Sequence, residues 1–159
     1  MKNEQGFSLI ELLIVVAIIA IIAAIAVPSM LTARMAANET GSIQGCRTIG
    51  SAEVAYAAVN NQNYDTVADL VTNSYLDSRY NTGFNGYTYA TGTVTGASAA
   101  ATAAIPAGFA YVATPITVGS SGRYTYGIAA DQVVRWLAGT PTPANMSAGT
   151  PIGTASSGS

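Results

Sequence analysis

The sequence predicts an α+β fold: one long N-terminal α-helix, apolar in its first half and amphipathic in its second, packed on a roughly four-stranded antiparallel sheet. Three observations predict it. Residues 12–27 are wholly apolar. Apolar residues then recur three or four apart up to residue 59, the period of a helix with one buried face. Beyond residue 85 they alternate at period two, in short runs rich in Tyr and Val that Gly and Pro punctuate.

In chain order, the first element begins in the stretch GFSLIELLIVVAIIAIIAAIAVP, residues 6–28. Residues 12–33 are 22 positions without a charge. As a helix such a run spans roughly 33 Å, enough for a hydrocarbon core of about 30 Å. Pro28 is a candidate kink, because proline removes a backbone donor and crowds the carbonyl four residues earlier. Ser29 and Thr32 begin the change to an amphipathic surface. Ile43, Cys46, Ile49, Ala52, Tyr56 and Val59 then form a stripe, with Asn38, Gln44, Arg47 and Glu53 falling between them. Gly41, Gly45 and Gly50 each weaken the helix by roughly 1 kcal/mol relative to alanine, which makes them soft points beside Pro28. The helix is expected from Phe7 to about Asn60.

Residues 60–70 read as a polar turn and a short helical turn, with Asp65 or Thr66 as N-cap and Tyr64, Val67 and Leu70 as anchors. Residues 72–86 continue as loop. Strands are expected at 86–91, 108–114, 123–130 and 132–138, and a sheet of these laid on the second half of the helix buries both amphipathic faces in one core. Residues 95–107 suit a surface loop or a short helix. From 139 to 159 the chain is Gly, Ser, Thr, Pro and Ala with almost no bulky residue; such a low-complexity tail buries too little to offset its ordering entropy, and disorder is expected. The alternative for it is a surface coat, and NET at Asn38 and NMS at Asn145 match a glycosylation pattern that also arises by accident.

Composition narrows the function classes. Half of the residues are hydrophobic, 9% are charged, and the formal net charge is −2. The six basic residues are scattered, so no nucleic-acid partner is indicated. Without histidine there is no Ser-His or Cys-His pair and no imidazole metal ligand, so the chain reads as a non-enzyme with no cofactor and no metal. Cys46 lies on the apolar stripe as a small core residue and cannot close an intramolecular disulfide alone. Asp65, Asp69 and Asp77 fit no EF-hand spacing and read as a solvated loop face.

The acid Glu11 separates three readings of the N-terminus. A plain membrane anchor gains nothing from it. A secretory signal peptide cut after AIA at 24–26 suits the length, but its n-region has Lys2 offset by Glu4, and Glu11 stands where the apolar region should have begun. A carboxylate in hydrocarbon costs about 2.5–3.5 kcal/mol by insertion scales for a comparable acid at a helix centre. If the chain is cut between Gly6 and Phe7, the new α-amino group of Phe7 is a cation four residues before Glu11. An ammonium partner offsets much of the cost, and the first turn of a helix favours negative charge. When the amine of one copy meets Glu11 of the next, each added helix settles one axial register.

A short polar leader ending in Gly, then Phe-Ser-Leu-Ile-Glu-Leu-Leu and a long apolar run to a proline, closely resembles the type IV pilin family. The resemblance is strong over roughly residues 1–35 and covers the rest only in general layout. It implies a leader of residues 1–6, an apolar transmembrane and filament-core helix at 7–33, a globular pilin domain at 34–138 and the tail at 139–159. It further implies cleavage between Gly6 and Phe7, N-methylation of Phe7, and an assembly role for Phe7 and Glu11. The partners implied are further copies of the chain in a helical homopolymer, a prepilin peptidase and methyltransferase, and a pilus assembly platform with its secretin. The implied location is the bacterial inner membrane before assembly and a surface filament afterwards, serving adhesion, motility or DNA uptake. A type II secretion pseudopilin or minor pilin, and a secreted binding domain behind an ordinary signal peptide, are the alternatives. The chain departs from the family in two respects: no glycine precedes Pro28 in the apolar run, and the C-terminal disulfide loop is missing. Packing around Trp136 and Leu137 is expected to secure the end of the sheet instead.

Overall fold

The computed structural model of the chain describes residues 7–91, 108–138 and 149–153. Helix α1 runs Leu9–Val59, within two residues of the expected limits at each end, and continues through Pro28. The chain divides into two compact units, Met1–Arg34 and Met35–Ser159.

In the first unit, α1 exposes its apolar side chains in every direction. Ile14, Val15, Ile18, Ile21 and Ile25 are all exposed, as the wholly apolar sequence demands of a helix with nothing packed on it. This stretch is long and apolar enough to cross a membrane.

In the second unit, the later part of α1 lies on an antiparallel meander. Its strands are β1 (Tyr87–Thr91), β2 (Ala110–Pro115), β3 (Tyr124–Ala129), β4 (Arg135–Ala138) and β5 (Thr150–Pro151), in the order β1-β2-β3-β4-β5. Register sets Tyr87 opposite Pro115, Tyr111 opposite Ile128, Tyr126 opposite Trp136 and Trp136 opposite Thr150. Strand β1 alternates over its first four residues, with Tyr87 and Tyr89 buried and Thr88 and Ala90 exposed. An Asn85-Gly86 turn with both residues at positive φ folds Tyr87 back on Phe84, the backbone twist that Asn-Gly supplies most readily. Four of the strands stand where the alternation predicted them.

The expected stripe on α1 is buried at Cys46, Ile49 and Ala52 and half-buried at Ile43 and Tyr56. Val59 departs from it at 69% exposed, because the last residue of the helix lies beyond Ala57, the final buried position. Glu53 departs in the other direction and is fully buried. The glycines also read differently in three dimensions. A Cβ on Gly45 would collide with the Tyr89 hydroxyl and come within 2.7 Å of its ring, and one on Gly50 would meet Ile128 Cδ1 at 2.7 Å. They are the points where the sheet closes on the helix backbone, and the propensity they forgo is the cost of that approach.

Between helix and sheet, α2 (Val67–Thr72) is capped by Thr66, whose hydroxyl accepts from the Asp69 N–H at 3.2 Å, and it buries Val67 and Leu70. Part of the segment expected as loop is instead a helical turn, α3 (Arg79–Thr82). The Asp77 carboxylate accepts the Arg79 N–H at 2.9 Å, and Tyr80 is buried against Phe84 and Tyr89, with ring centroids 4.9 and 5.2 Å away. Strand β5 corrects the expectation of disorder over 139–159 for the residues described there. Thr150 and Pro151 pair with Trp136 and Arg135, and the Ile152 N–H donates to the Val134 carbonyl at 2.9 Å. Among the described residues of the tail Ile152 is the bulky one, and with Trp136, Tyr124, Tyr126 and Ile43 it lines a cavity of about 220 Å³. The readings for 95–107, 139–148 and 154–159 lie outside the described residues.

Candidate assembly site

The start of α1 carries one of the two bonds of a capping box, from the third helical residue back to the N-cap backbone. Ser8 occupies the N-cap position and Glu11 the third helical position. The Ser8 N–H donates to Glu11 Oε2 at 2.9 Å, and the Ser8 carbonyl accepts the Leu12 N–H at 3.3 Å. The carboxylate thereby satisfies a backbone donor that has no partner within the helix, and it sits where the helix dipole is positive. The motif Ser-x-x-Glu, Ser8 to Glu11, is the local sequence signal for this bond. One carboxylate oxygen makes the cap, and a carboxylate has two.

Phe7 precedes the cap and is 86% exposed. Gly6, on the other side of the expected cut, lies outside the described residues. Leu9, Leu12, Leu13, Val16, Ala17 and Ala20 share one face of the helix and line a shallow apolar groove. At Pro28 the helix lacks the N–H that would have reached the Ala24 carbonyl. Just beyond, Ser29 Oγ donates to the Ala26 carbonyl at 3.0 Å and Thr32 Oγ1 to the Ser29 carbonyl at 2.9 Å, so the polar residues following Pro28 bond inward to the backbone.

The second unit places the other singled-out residues in structural roles. Cys46 is fully buried, and burial pushes its thiol up to about 12, the opposite of what a nucleophile needs. Asp65 accepts from Tyr56 Oη at 2.9 Å, Asp69 from Thr66 Oγ1 at 2.6 Å, and Asp77 pairs with Arg79 at 3.6 Å. Asn38 donates its side-chain amide to the Ser121 carbonyl at 2.9 Å, which occupies the nitrogen a glycan would need. Glu39, nearly buried, accepts both the backbone N–H of Arg123 at 2.8 Å and its Nε at 3.3 Å, joining α1 to the start of β3. Trp136 packs edge-on against Tyr124 with centroids 4.8 Å apart, so the end of the sheet is secured by that pair and by β5.

Residues 1–27 match the family model described as the prokaryotic N-terminal methylation motif. Among curated proteins, the chain is similar to the type IV wide pilus major component PilA4 of Thermus thermophilus, 50% identical over 40 residues. That match covers 25% of this chain and 30% of the relative, so the chain spans less than a third of the relative it matches. No solved structure matches the chain.

Proposed function

We propose, from the type IV pilin family that the methylation motif and the pilin relative support, that this chain is a structural subunit of a type IV pilus. It is made with the leader 1–6, cut between Gly6 and Phe7, methylated on the Phe7 amine and polymerised through the first half of α1. The observation that carries this reading is a membrane-length helix, exposed on every side, with one acid held in its first turn. An apolar surface of this kind demands cover, by lipid before assembly and by other copies of itself afterwards. Burying about twenty apolar side chains, at roughly 1.5–3 kcal/mol for each large one, supplies the energy of assembly. Register comes from Glu11: while one oxygen holds the Ser8 N–H, the other accepts the methylated Phe7 amine of the adjoining copy. The sheet unit, with its Tyr-rich core enclosed, faces water. Prepilin peptidase, the assembly platform and the secretin are the partners this route requires, and the inner membrane and then the cell surface are its locations.

Mass analysis of the mature N-terminus tests the processing step. Loss of 6 residues with gain of a methyl group is expected. Loss of 26 residues would make the chain a secreted domain behind a signal peptide, and no loss a plain anchor. Surface filaments made mainly of this chain are expected on the producing cell; its presence there as a trace component would make it a minor pilin or pseudopilin.

A further inference from the structure

Glu53 is the carboxylate that the assembly role leaves unused. It lies on the inner face of α1 and is fully buried. Its hydrogen-bond partners come from β2 through Tyr111 and from the segment entering α2 through Asp65, whose carboxylate also accepts from Tyr56 Oη on α1 at 2.9 Å. The Tyr111 hydroxyl oxygen lies within hydrogen-bonding reach of two acceptors at once, Glu53 Oε1 and the Asp65 carbonyl. The other carboxyl oxygen, Glu53 Oε2, accepts the Asp65 N–H at 3.4 Å.

A phenol has one proton to donate and here faces two acceptors. If Glu53 is ionised, that proton goes to the carboxylate, and the Asp65 carbonyl is left against a lone pair. A proton on Glu53 closes every bond: Glu53 donates to the Tyr111 oxygen, Tyr111 donates to the Asp65 carbonyl, and Oε2 still receives the Asp65 N–H. We propose that the folded domain holds Glu53 as the neutral acid, and that Glu53 and Tyr111 together clamp the Asp65 backbone, binding the end of α1 to β2 through a proton taken up on folding.

The electrostatics agree. Burial, the largest influence, raises the Glu53 pKa against the opposing hydrogen bonds of Tyr111 and the Asp65 N–H, and the Asp65 carboxylate adds to the rise. Neither Tyr111 nor Asp65 carries a positive charge to hold Glu53 ionised, and burial, Glu53, Asp65 and Asp69 all raise the Tyr111 pKa, so its hydroxyl keeps the proton it donates. Glu39, the other buried acid of α1, is a contrast: it has Arg123 as its ion-pair partner.

The sign of the pH dependence follows. A carboxyl whose pKa is raised by folding contributes stability in full below its unfolded pKa and loses it as pH rises through the folded value. The test uses the full chain in detergent micelles, carbon-13 labelled at the glutamate carboxyls, with the Glu53 signal assigned by its position next to Val54. Glu53 is expected to titrate above the ordinary glutamate range, and the unfolding midpoint to fall as pH rises through that titration. In Glu53→Gln the amide donates to Tyr111 and accepts from Asp65, so the clamp persists and this fall is absent. Titration of Glu53 within or below the ordinary range overturns the proposal, as does a fall of the same size in Glu53→Gln. If the variant does not fold, the wild-type titration alone decides.

Discussion

Ser8 and Glu11 are joined by a hydrogen bond of 2.9 Å from the backbone N–H of the first to the carboxylate of the second. The acid that marks the apolar helix as unusual is therefore also its cap. The two roles separate experimentally, because a glutamine can accept the same hydrogen bond without the charge.

Glu11→Ala should lose both roles and Glu11→Gln the charge alone. Both variants are expected to insert in the membrane and to be cut after Gly6, and both should give sharply reduced filament yield. Normal yield from Glu11→Gln would reduce the acid to a capping residue, and normal yield from Glu11→Ala would remove it from assembly altogether. Sheared-filament yield against membrane-retained subunit is the measurement.

Gly45 should not tolerate a methyl group. The gain in helix propensity from Gly45→Ala is about 1 kcal/mol, whereas overpacking a filled interior costs about 1–3 kcal/mol. The Tyr89 ring stands 2.7 Å from the added carbon and is held by Tyr80 and stacked on Phe84, with centroids 5.2 and 5.0 Å away. A net loss of stability is expected in chemical denaturation, with no change in secondary structure.

Tyr89→Phe should be neutral or stabilising. Among the described residues the buried Tyr89 hydroxyl has no hydrogen-bond partner. A buried polar group without one costs about 1–3 kcal/mol, and phenylalanine removes the group while keeping the ring. Destabilisation by 1 kcal/mol or more (an order-of-magnitude threshold of about one lost hydrogen bond) would mean that the hydroxyl has a partner in solution, such as a buried water.

Asp131 and Arg135 should give the sheet unit an acid-side dependence. Their ion pair, 2.5 Å long, is the main reason the Asp131 carboxyl is held below its ordinary value, with burial opposing it and the Val133 N–H assisting. A depressed carboxylate contributes stability above its unfolded pKa and loses it as pH falls through the folded one. Because Asp131 is 45% exposed, solvent screens the pair and the effect is small. Asp131→Asn should flatten the unfolding midpoint on the acid side and leave the alkaline side unchanged.

Cys46 should resist thiol reagents until the domain unfolds. It is fully buried and its thiol is pushed up to about 12, so both access and thiolate are withheld. Labelling rates followed across a denaturant series are expected to track unfolding; rapid labelling of the native chain would contradict the packing of α1 on β2.

What was legible in the sequence is what local repetition encodes. An unbroken apolar run declares a helix that must be covered whatever surrounds it, and Gly-Phe before an acid carries the processing motif within a few residues. Alternation at period two located four strands to within three residues at either end, because each half-buried strand writes its own pattern. Glu53 was misplaced because a periodic reading assigns acids to water, and only the meeting of α1 with Tyr111 and Asp65 gives this one partners inside. The glycines of α1 and the strand at Thr150–Pro151 were hidden for the same reason: a missing Cβ or a two-residue strand acquires meaning from the surface that approaches it, and that surface comes from residues far away in the chain.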